Sequence, residues 1–305
     1  MGPVGRLNLG NTRAAPGTGT GQGTARVLAK GIAAAALVFA QGLAWACDKP
    51  LYLTFDTGHM GVADLVADVL KRQQVPVTFF LASERSLTGG HSLDEQWAPW
   101  WRARAEEGHA FASHTWDHWV LSPDAAAAKE HGKAAHSNSD AQGPWRFKVT
   151  QGTRRGQVIT ADARAYCEQL IKPAQRLQAM TGQPMAAAFR APAGRTSPSL
   201  IEAAKACGFE HVGWSPAGFL GDELDSTRFP NEQLLKKALR DIRPGDVLVA
   251  HLGIWDRREP WAPAVLEPLI EGLKARGFCF RTMRDHPQHG AAFARVAPMM
   301  AEGGR

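Results

Sequence analysis

The chain has 305 residues, of which 44% are hydrophobic and 21% charged, which suits one large globular domain or two small ones and excludes fibrous and disordered classes. The formal net charge of +6 would favour an acidic partner, but residues 1–46 hold four basic residues and no acidic one. Removing those four charges leaves +2 on the remainder, so the sequence predicts no nucleic-acid partner.

The N-terminal segment has the pattern of an export signal. A basic, Gly/Thr-rich stretch precedes an uncharged run over residues 31–46, GIAAAALVFAQGLAWA, which ends just before Cys47. This pattern predicts a signal peptide over residues 1–46, cleaved after Ala46. The run is shorter than the roughly 20 residues that span a bilayer. We therefore expect an exported protein, periplasmic or extracellular, with no integral membrane span after cleavage. A lipoprotein acylated at Cys47 is the alternative.

Short apolar runs in the rest of the chain predict β-strands, because they are too short and too apolar for surface helices. They alternate with helix candidates, several of which end at Gly, a residue that easily adopts a left-handed C-cap. The alternation predicts an α/β fold with a parallel sheet, either a barrel or an open sheet. The strands are predicted at residues 51–55, 77–82, 109–113, 185–190, 211–214, 246–250 and 278–283, and the helices at 62–74, 95–108, 161–182, 199–208, 231–242 and 261–277.

Two regions break this alternation. Residues 120–160 form a polar insertion rich in His, Ser and Gly, and its second half, RFKVTQGTRRGQVIT, predicts a hairpin. The residues after 284 have no clear pattern, and we expect a loosely ordered tail over 285–305. The main domain is therefore predicted over residues 47–284.

The cysteine pattern favours disulfides or buried thiols over a metal site. All four cysteines follow the predicted cleavage site, and none belongs to a CxxC motif, which argues against a cysteine zinc site. In an oxidising compartment, four cysteines allow two bridges and three pairings, which the sequence does not rank. The cysteines are Cys47, Cys167, Cys207 and Cys279.

Polar side chains lie at the ends of four predicted strands: Asp56, His114, Arg190 and His251. In α/β folds of this kind, active-site groups gather at the carboxyl ends of the strands. His114 and His118 are also four residues apart, and in a helical turn this spacing places both imidazoles on one face, where they could bind one divalent ion. The spacing alone is common by chance, and the other strand-end residues give it weight.

The chain resembles the NodB-homology polysaccharide deacetylases, also called carbohydrate esterase family 4. Four motifs carry the resemblance, in the family's order and at predicted strand ends: TFDTG (54–58), HTWDH (114–118), RAPAG (190–194) and LVAH (248–251). The family's own patterns are TFDDG, H[ST]xxH, RxPxG and LxxH. The resemblance covers about residues 47–284 and implies a single catalytic domain, a distorted (β/α) barrel of about seven parallel strands.

The resemblance also implies a hydrolase that removes N-acetyl groups from amino-sugar polymers with a divalent metal, zinc being the expected ion. By motif, Asp56 would be the general base, Arg190 the residue that keeps its carboxylate ionised, and His251 the general acid. His114 and His118 would bind the metal. Such an ion polarises the amide carbonyl, and a general acid is needed because an unprotonated amine is a poor leaving group.

Thr57 departs from the family pattern. It stands where family members carry a metal-binding aspartate, so the implied ligand set of one aspartate and two histidines is reduced to His114 and His118. A hydroxyl is a poor zinc ligand compared with a carboxylate. Either Asp56 binds the ion itself, or Asp117 or a water completes the ligand set, or the site binds metal weakly.

Aromatic residues next to the motifs are candidates for sugar binding. Trp116, Trp119 and Trp214 lie beside the motifs, whereas Trp97, Trp100 and Trp101 follow a helical spacing that is typical of core residues. Trp214, Trp116 and Pro192 form the predicted substrate-binding set. The family's Trp/Asp motif is represented by GWSPAGFLGDELD, in which Trp214, Asp222 and Asp225 are all candidates for the partner of His251.

The sequence therefore predicts an exported deacetylase whose partner is an amino-sugar polysaccharide or cell-envelope glycan. Two alternatives remain open at this stage. One is a deformylase or deacylase acting on a lipid-linked amino sugar, which the Asp-Thr pair and the insertion could accommodate. The other is a pseudoenzyme that binds glycans in the same cleft without turnover.

Overall fold

The computed structural model describes residues 47–123, 143–255 and 257–300. The predicted signal peptide lies outside this range, as do residues 124–142 of the predicted insertion. The strands are β1 (Pro50–Asp56), β2 (Thr78–Leu81), β3 (Ala110–Ser113), β4 (Trp119–Leu121), β5 (Trp145–Val149), β6 (Val158–Ala161), β7 (Ala188–Phe189), β8 (Glu210–His211), β9 (Val247–His251) and β10 (Cys279–Phe280). The helices are α1 (Ala63–Arg72), α2 (Ala98–Glu106), α3 (Ala163–Thr181), α4 (Pro198–Ala206), α5 (Asn231–Asp241), α6 (Leu266–Ala275) and α7 (Gly290–Phe293).

Seven parallel strands form the central sheet. Its order is β10-β1-β2-β3-β7-β8, and β9 also pairs with β1. The first residues of β1 pair with β10 and the last ones with β2, both on one side of β1, while β9 pairs along the other side from Tyr52 to Asp56. Beyond β8 the chain pairs with β9 through Phe219 and Val249, which brings the two ends of the sheet together. The predicted distorted barrel of about seven parallel strands is confirmed.

The helices cover the sheet because each one has an apolar face. Helix α1 buries Val66, Val69 and Leu70, residues three or four apart, against the core. The long helix α3 begins where the Asp162 side chain accepts a hydrogen bond from the Ala165 amide, and it ends at Gly182, whose φ of 72° is left-handed. No helix within the described ranges is long and apolar enough to cross a membrane.

The insertion contains a small antiparallel sheet in the order β4-β5-β6. Strands β5 and β6 pair from Trp145 with Ala161 to Lys148 with Val158, which confirms the predicted hairpin. Strand β4 pairs Trp119 with Val149 and so attaches this small sheet directly to the HTWDH segment.

The end of the chain differs from the expected loose tail. Helix α7 buries Ala292 and Phe293, and the backbone beyond it bonds to residues preceding β7, through Ala187 N to Arg295 O and Ala297 N to Met185 O. The buried side chains and these backbone hydrogen bonds explain the difference. The prediction of a loosely ordered tail is wrong for residues 286–300.

Both disulfides form, and they pair Cys47 with Cys279 and Cys167 with Cys207. The first joins the start of β1 to β10, and the second joins α3 to the end of α4. The bridge occupies the Cys47 thiol, the group that acylation at this residue would require.

We expect the two disulfides to stabilise the domain unequally. The Cys47–Cys279 bridge spans 232 residues and the Cys167–Cys207 bridge spans 40. In the chain-entropy model, longer loops are more stabilising, so replacing the first pair by Ser should lower the free energy of unfolding by about 5 kcal/mol and replacing the second by about 4 kcal/mol. Denaturant unfolding of the two double variants checks this, and a larger loss for the shorter loop would contradict it.

Candidate active site

The four strand-end residues meet at the carboxyl edge of the sheet, as the sequence predicts. Asp56 ends β1 and lies opposite His251, which ends β9. His114 follows β3, and Arg190 follows β7. One cavity of about 140 Å³ is lined by Asp56, His114, His118, Ala193, Trp214, Phe219, Glu223, Val249 and His251.

A buried ion pair lies at the base of this cavity. Arg190 is 0% exposed, and its Nη1 lies 2.7 Å from Asp56 Oδ1. Arg190 also donates to the Thr54 hydroxyl and to two backbone carbonyl groups after β8, so four of its five N–H groups make hydrogen bonds. Burial alone would raise the pKa of Asp56, but the charges of Arg190, His114 and His251 and the Arg190 hydrogen bond lower it overall. Asp56 is therefore a carboxylate at neutral pH.

The two histidines of HTWDH are brought together by a turn, which differs from the helical turn considered for this spacing. Thr115 and His118 have φ values of 60° and 48°, in the left-handed region. The ring centroids of His114 and His118 lie 4.9 Å apart. His114 Nδ1 bonds to the carbonyl oxygen of Arg190, and His118 Nδ1 bonds to the Thr150 hydroxyl. These bonds orient both rings and leave both Nε2 atoms for a ligand.

His114 is neutral at neutral pH. Burial is the main cause and lowers its pKa to about 4, although the carboxylate of Asp56, whose Oδ2 lies 3.6 Å from His114 Nε2, opposes the change. A neutral imidazole has the lone pair that metal binding requires.

Thr57 is fully engaged by protein groups. Its hydroxyl donates to Glu84 Oε1 at 2.7 Å and accepts from the Ala82 amide at 3.0 Å. A carboxylate, from Glu84, thus lies beside the position where the family's second aspartate would be. Sequence reasoning did not select Glu84, although it lies just after β2, at the same edge as the other site residues.

The donors present fit a divalent ion only in part. Two imidazole Nε2 atoms and the Asp56 carboxylate are the right types. Among the residues that the structure describes, however, no group of three His, Cys, Asp or Glu side chains is arranged to hold a metal ion. Asp117 is not at the site, because its carboxylate accepts from Gln169 and lies against Gly152. The open choice of a third ligand is therefore narrowed to Asp56, Glu84 or water.

His251 is paired with Asp222. Its Nδ1 lies 3.1 Å from both carboxylate oxygens of Asp222, and its backbone amide donates to Oδ2 at 2.6 Å. Burial opposes protonation, but the charges of Asp222, Asp56 and Glu223 and the Asp222 hydrogen bond raise the pKa of His251 to about 10. Of the two acidic candidates in GWSPAGFLGDELD, Asp222 is the partner, while Asp225 bonds to the Arg228 amide.

Glu223 is a second residue that sequence reasoning missed. Its Oε2 lies 3.8 Å from His251 Nε2, and it lines the same cavity. Its place next to Asp222 in the sequence is the only signal that could have identified it, and that signal has no distinctive spacing.

The three predicted substrate-binding residues lie in different surroundings. Trp214 lines the cavity, 5.7 Å from the Arg190 guanidinium. Pro192 is buried, and its neighbour Ala193 lines the cavity instead. Trp116 is half-buried, packs against the hydrophobic core and is not among the residues that line this cavity. Pro192 is buried and Trp116 packs against the core, so of these three residues only Trp214 lines the cavity.

A family model described as polysaccharide deacetylase matches residues 46–212 of this chain. The chitooligosaccharide deacetylase of Azorhizobium caulinodans is 25% identical over 244 residues, which cover 76% of this chain and 92% of that protein. The peptidoglycan-N-acetylmuramic acid deacetylase PdaA of Bacillus subtilis is 24% identical over 242 residues, which cover 78% of this chain and 71% of that protein.

The fold is also found among solved structures. A family 4 acetyl xylan esterase from Clostridium thermocellum, solved in complex with a cobalt ion, superposes with a TM-score of 0.55 at 20% identity. The superposition covers 80% of this chain and 93% of that one. At this identity the likeness concerns the fold.

We expect Asp222→Asn to lower the pKa of His251 by roughly one to three pH units. The substitution removes the nearest negative charge, which favours the protonated imidazole. His251 should then lose its proton at a lower pH than the value of about 10 in the unmodified protein. An NMR titration of the His251 imidazole measures this directly. Asp225→Asn is the matched control, since Asp225 does not contact His251, and an equal fall in both variants would contradict the assignment.

Proposed function

The chain belongs to the polysaccharide deacetylase family, and we propose that it removes N-acetyl groups from an amino-sugar polymer or cell-envelope glycan. The family, the fold class and the enzyme class predicted from the sequence are confirmed. The substrate is supported by the names of the two relatives, whose substrates are chitooligosaccharide and peptidoglycan. The observation that carries the proposal is one cavity that joins an ionised Asp56, a protonated His251 and two oriented imidazoles.

Proton transfer is assigned to Asp56 and His251. The Asp56 carboxylate, kept ionised by Arg190, accepts the proton of the attacking water. His251, kept protonated by Asp222, donates a proton to the sugar nitrogen as the C–N bond breaks. The acetyl carbon thus leaves as acetate and the sugar retains an amine.

His114 and His118 would hold a divalent ion through their Nε2 atoms, and we propose zinc. When bound, the ion would supply Lewis-acid activation of the acetamide carbonyl group. Because Asp56 is assigned as the base, Glu84 or a water would add an oxygen ligand. Trp214, in the wall of the cavity, is positioned to contact the sugar ring that carries the acetamide.

Export is part of the proposal. Disulfides form and persist in oxidising compartments, so the two bridges agree with the signal peptide expected over residues 1–46. The periplasm or the cell exterior is also where a cell-envelope glycan would be met.

A second candidate function, glycan binding without hydrolysis, is favoured by one observation. Thr57 bonds to Glu84, and the described residues offer no three-ligand metal group. A protein with a weak metal site could still bind a glycan in the Trp214 cavity. The third candidate function from the sequence is a deformylase or deacylase that acts on a lipid-linked amino sugar. Activity assays on such substrates distinguish it from the other two.

We expect acetate release from N-acetylglucosamine oligomers in the presence of zinc, and a fall of about 10²- to 10⁴-fold in kcat for Asp56→Asn, because the general base is lost. Acetate release is measured with the unmodified protein, this variant and Asp225→Asn as a control. Unmodified protein that binds the oligomers but releases no acetate would favour the second candidate function.

We expect the Thr57→Asp, Glu84→Gln double variant to bind zinc roughly tenfold more tightly or better, because it adds a charged carboxylate to the two neutral imidazole ligands. The Glu84→Gln change places an amide hydrogen-bond donor beside the new carboxylate, where Glu84 would place a repelling charge. Calorimetry with zinc measures the affinity. The His114→Ala, His118→Ala variant should lose binding, and retained affinity there would overturn the assignment of these histidines as ligands.

A further inference from the structure

An exposed tryptophan lies next to the candidate active site. Of the tryptophans that the structure describes, Trp255 alone is exposed, at 51%, and the others are buried or half-buried. It follows β9 by four residues, in the loop that begins at His251. An exposed indole beside a candidate active site offers a ligand apolar area that would be buried on binding.

Three loops at the carboxyl edge hold Trp255 in place. His59, in the loop after β1, donates its backbone N–H to Gly253 O at 3.0 Å, and Leu87, in the loop after β2, donates to His59 O at 2.8 Å. Gly253 has a φ of +114°, and an added Cβ there would lie 2.3 Å from the His59 ring. The loops therefore fit closely against each other, and Trp255 lies on a built surface.

Four side chains form this surface, which we call the Trp255 patch: Trp255, His59, Arg85 and Leu87. The His59 ring meets Trp255 edge-on, with centroids 5.1 Å apart, and the Arg85 guanidinium lies 5.7 Å from the indole centroid. Leu87 is 57% exposed. The patch thus offers apolar area beside a cationic hydrogen-bond donor and an imidazole.

The patch continues into the candidate active site. His59 lines a small cavity of about 60 Å³ that is also lined by His251 and Asp222. Trp255 itself does not line the cavity that holds Asp56 and His114. A ligand on the Trp255 patch would therefore lie beside the cavity that holds Asp56 and His114, and not inside it.

We infer that the Trp255 patch is a second sugar-binding subsite, which holds a pyranose ring of the glycan chain next to the ring that is deacetylated. The C–H face of a pyranose is apolar and suits the indole face, while its hydroxyl and carbonyl groups suit Arg85 and His59. The inference rests on the proposed function, since it extends the substrate of that same site from one ring to a chain. A protein partner is less well matched, because the apolar area is small and ringed by polar groups.

The subsite predicts a dependence on oligomer length. Trp255→Ala should weaken binding of the six-residue N-acetylglucosamine oligomer about tenfold, and of the two-residue oligomer less than about twofold. Trp255→Tyr should keep most of the affinity, because it keeps an aromatic face. In turnover, Trp255→Ala should raise KM for the six-residue oligomer and leave kcat unchanged.

Calorimetry with both oligomers, on the unmodified protein and the two variants, measures the affinities without any need for turnover. Phe229→Ala is the matched control, since Phe229 is an exposed aromatic with Arg228 over its ring and lines neither cavity. Equal losses for both oligomers, no loss in Trp255→Ala, or no binding of the six-residue oligomer by unmodified protein would overturn the inference. Length-dependent binding without acetate release would support the subsite and refute hydrolysis.

Discussion

The pairing of Arg190 with Asp56 is the interaction on which the site depends. Arg190 is fully buried, so its charge is tolerable only because Asp56 and several oxygen acceptors surround it. Its bonds reach Thr54 and Asp56 on β1 and the carbonyl groups after β8, which lie at distant positions in the sheet order. Its own carbonyl oxygen orients His114. The same residue thus joins the strands, sets the charge of Asp56 and positions His114.

Two histidines at one edge of the sheet differ in charge at neutral pH, His114 being neutral and His251 protonated, because their surroundings differ. Burial lowers the pKa of His114 to about 4, although the nearby Asp56 carboxylate opposes the change. His251 faces Asp222 and Glu223, and its pKa rises to about 10. One ring can therefore offer a lone pair while the other offers a proton, over the same range of pH. A separation of pKa values of this kind allows two residues of the same type to take different roles in one site.

The sequence predicts the sheet and the strand-end residues well, because buried parallel strands are apolar along their length and side chains just after them meet at one edge. Asp56, His114, Arg190 and His251 follow this rule, and they converge. Glu84, Glu223 and Trp255 lie in loops, where no periodicity marks which side chain turns inward. The pairing of the cysteines could not be predicted from the sequence either, because it depends on how the helices and strands are placed in space.

The Cys47–Cys279 bridge determines where the amino end of the domain lies relative to the cleft. It holds the start of β1 at the amino edge of the sheet, and β1 has seven residues, which extend about 20 Å to Asp56. The opening of the cleft and the amino end of the domain are therefore on opposite sides. If the protein were attached to a surface or a fusion partner through residue 47, its cleft would face away from the point of attachment and stay accessible to a polymer.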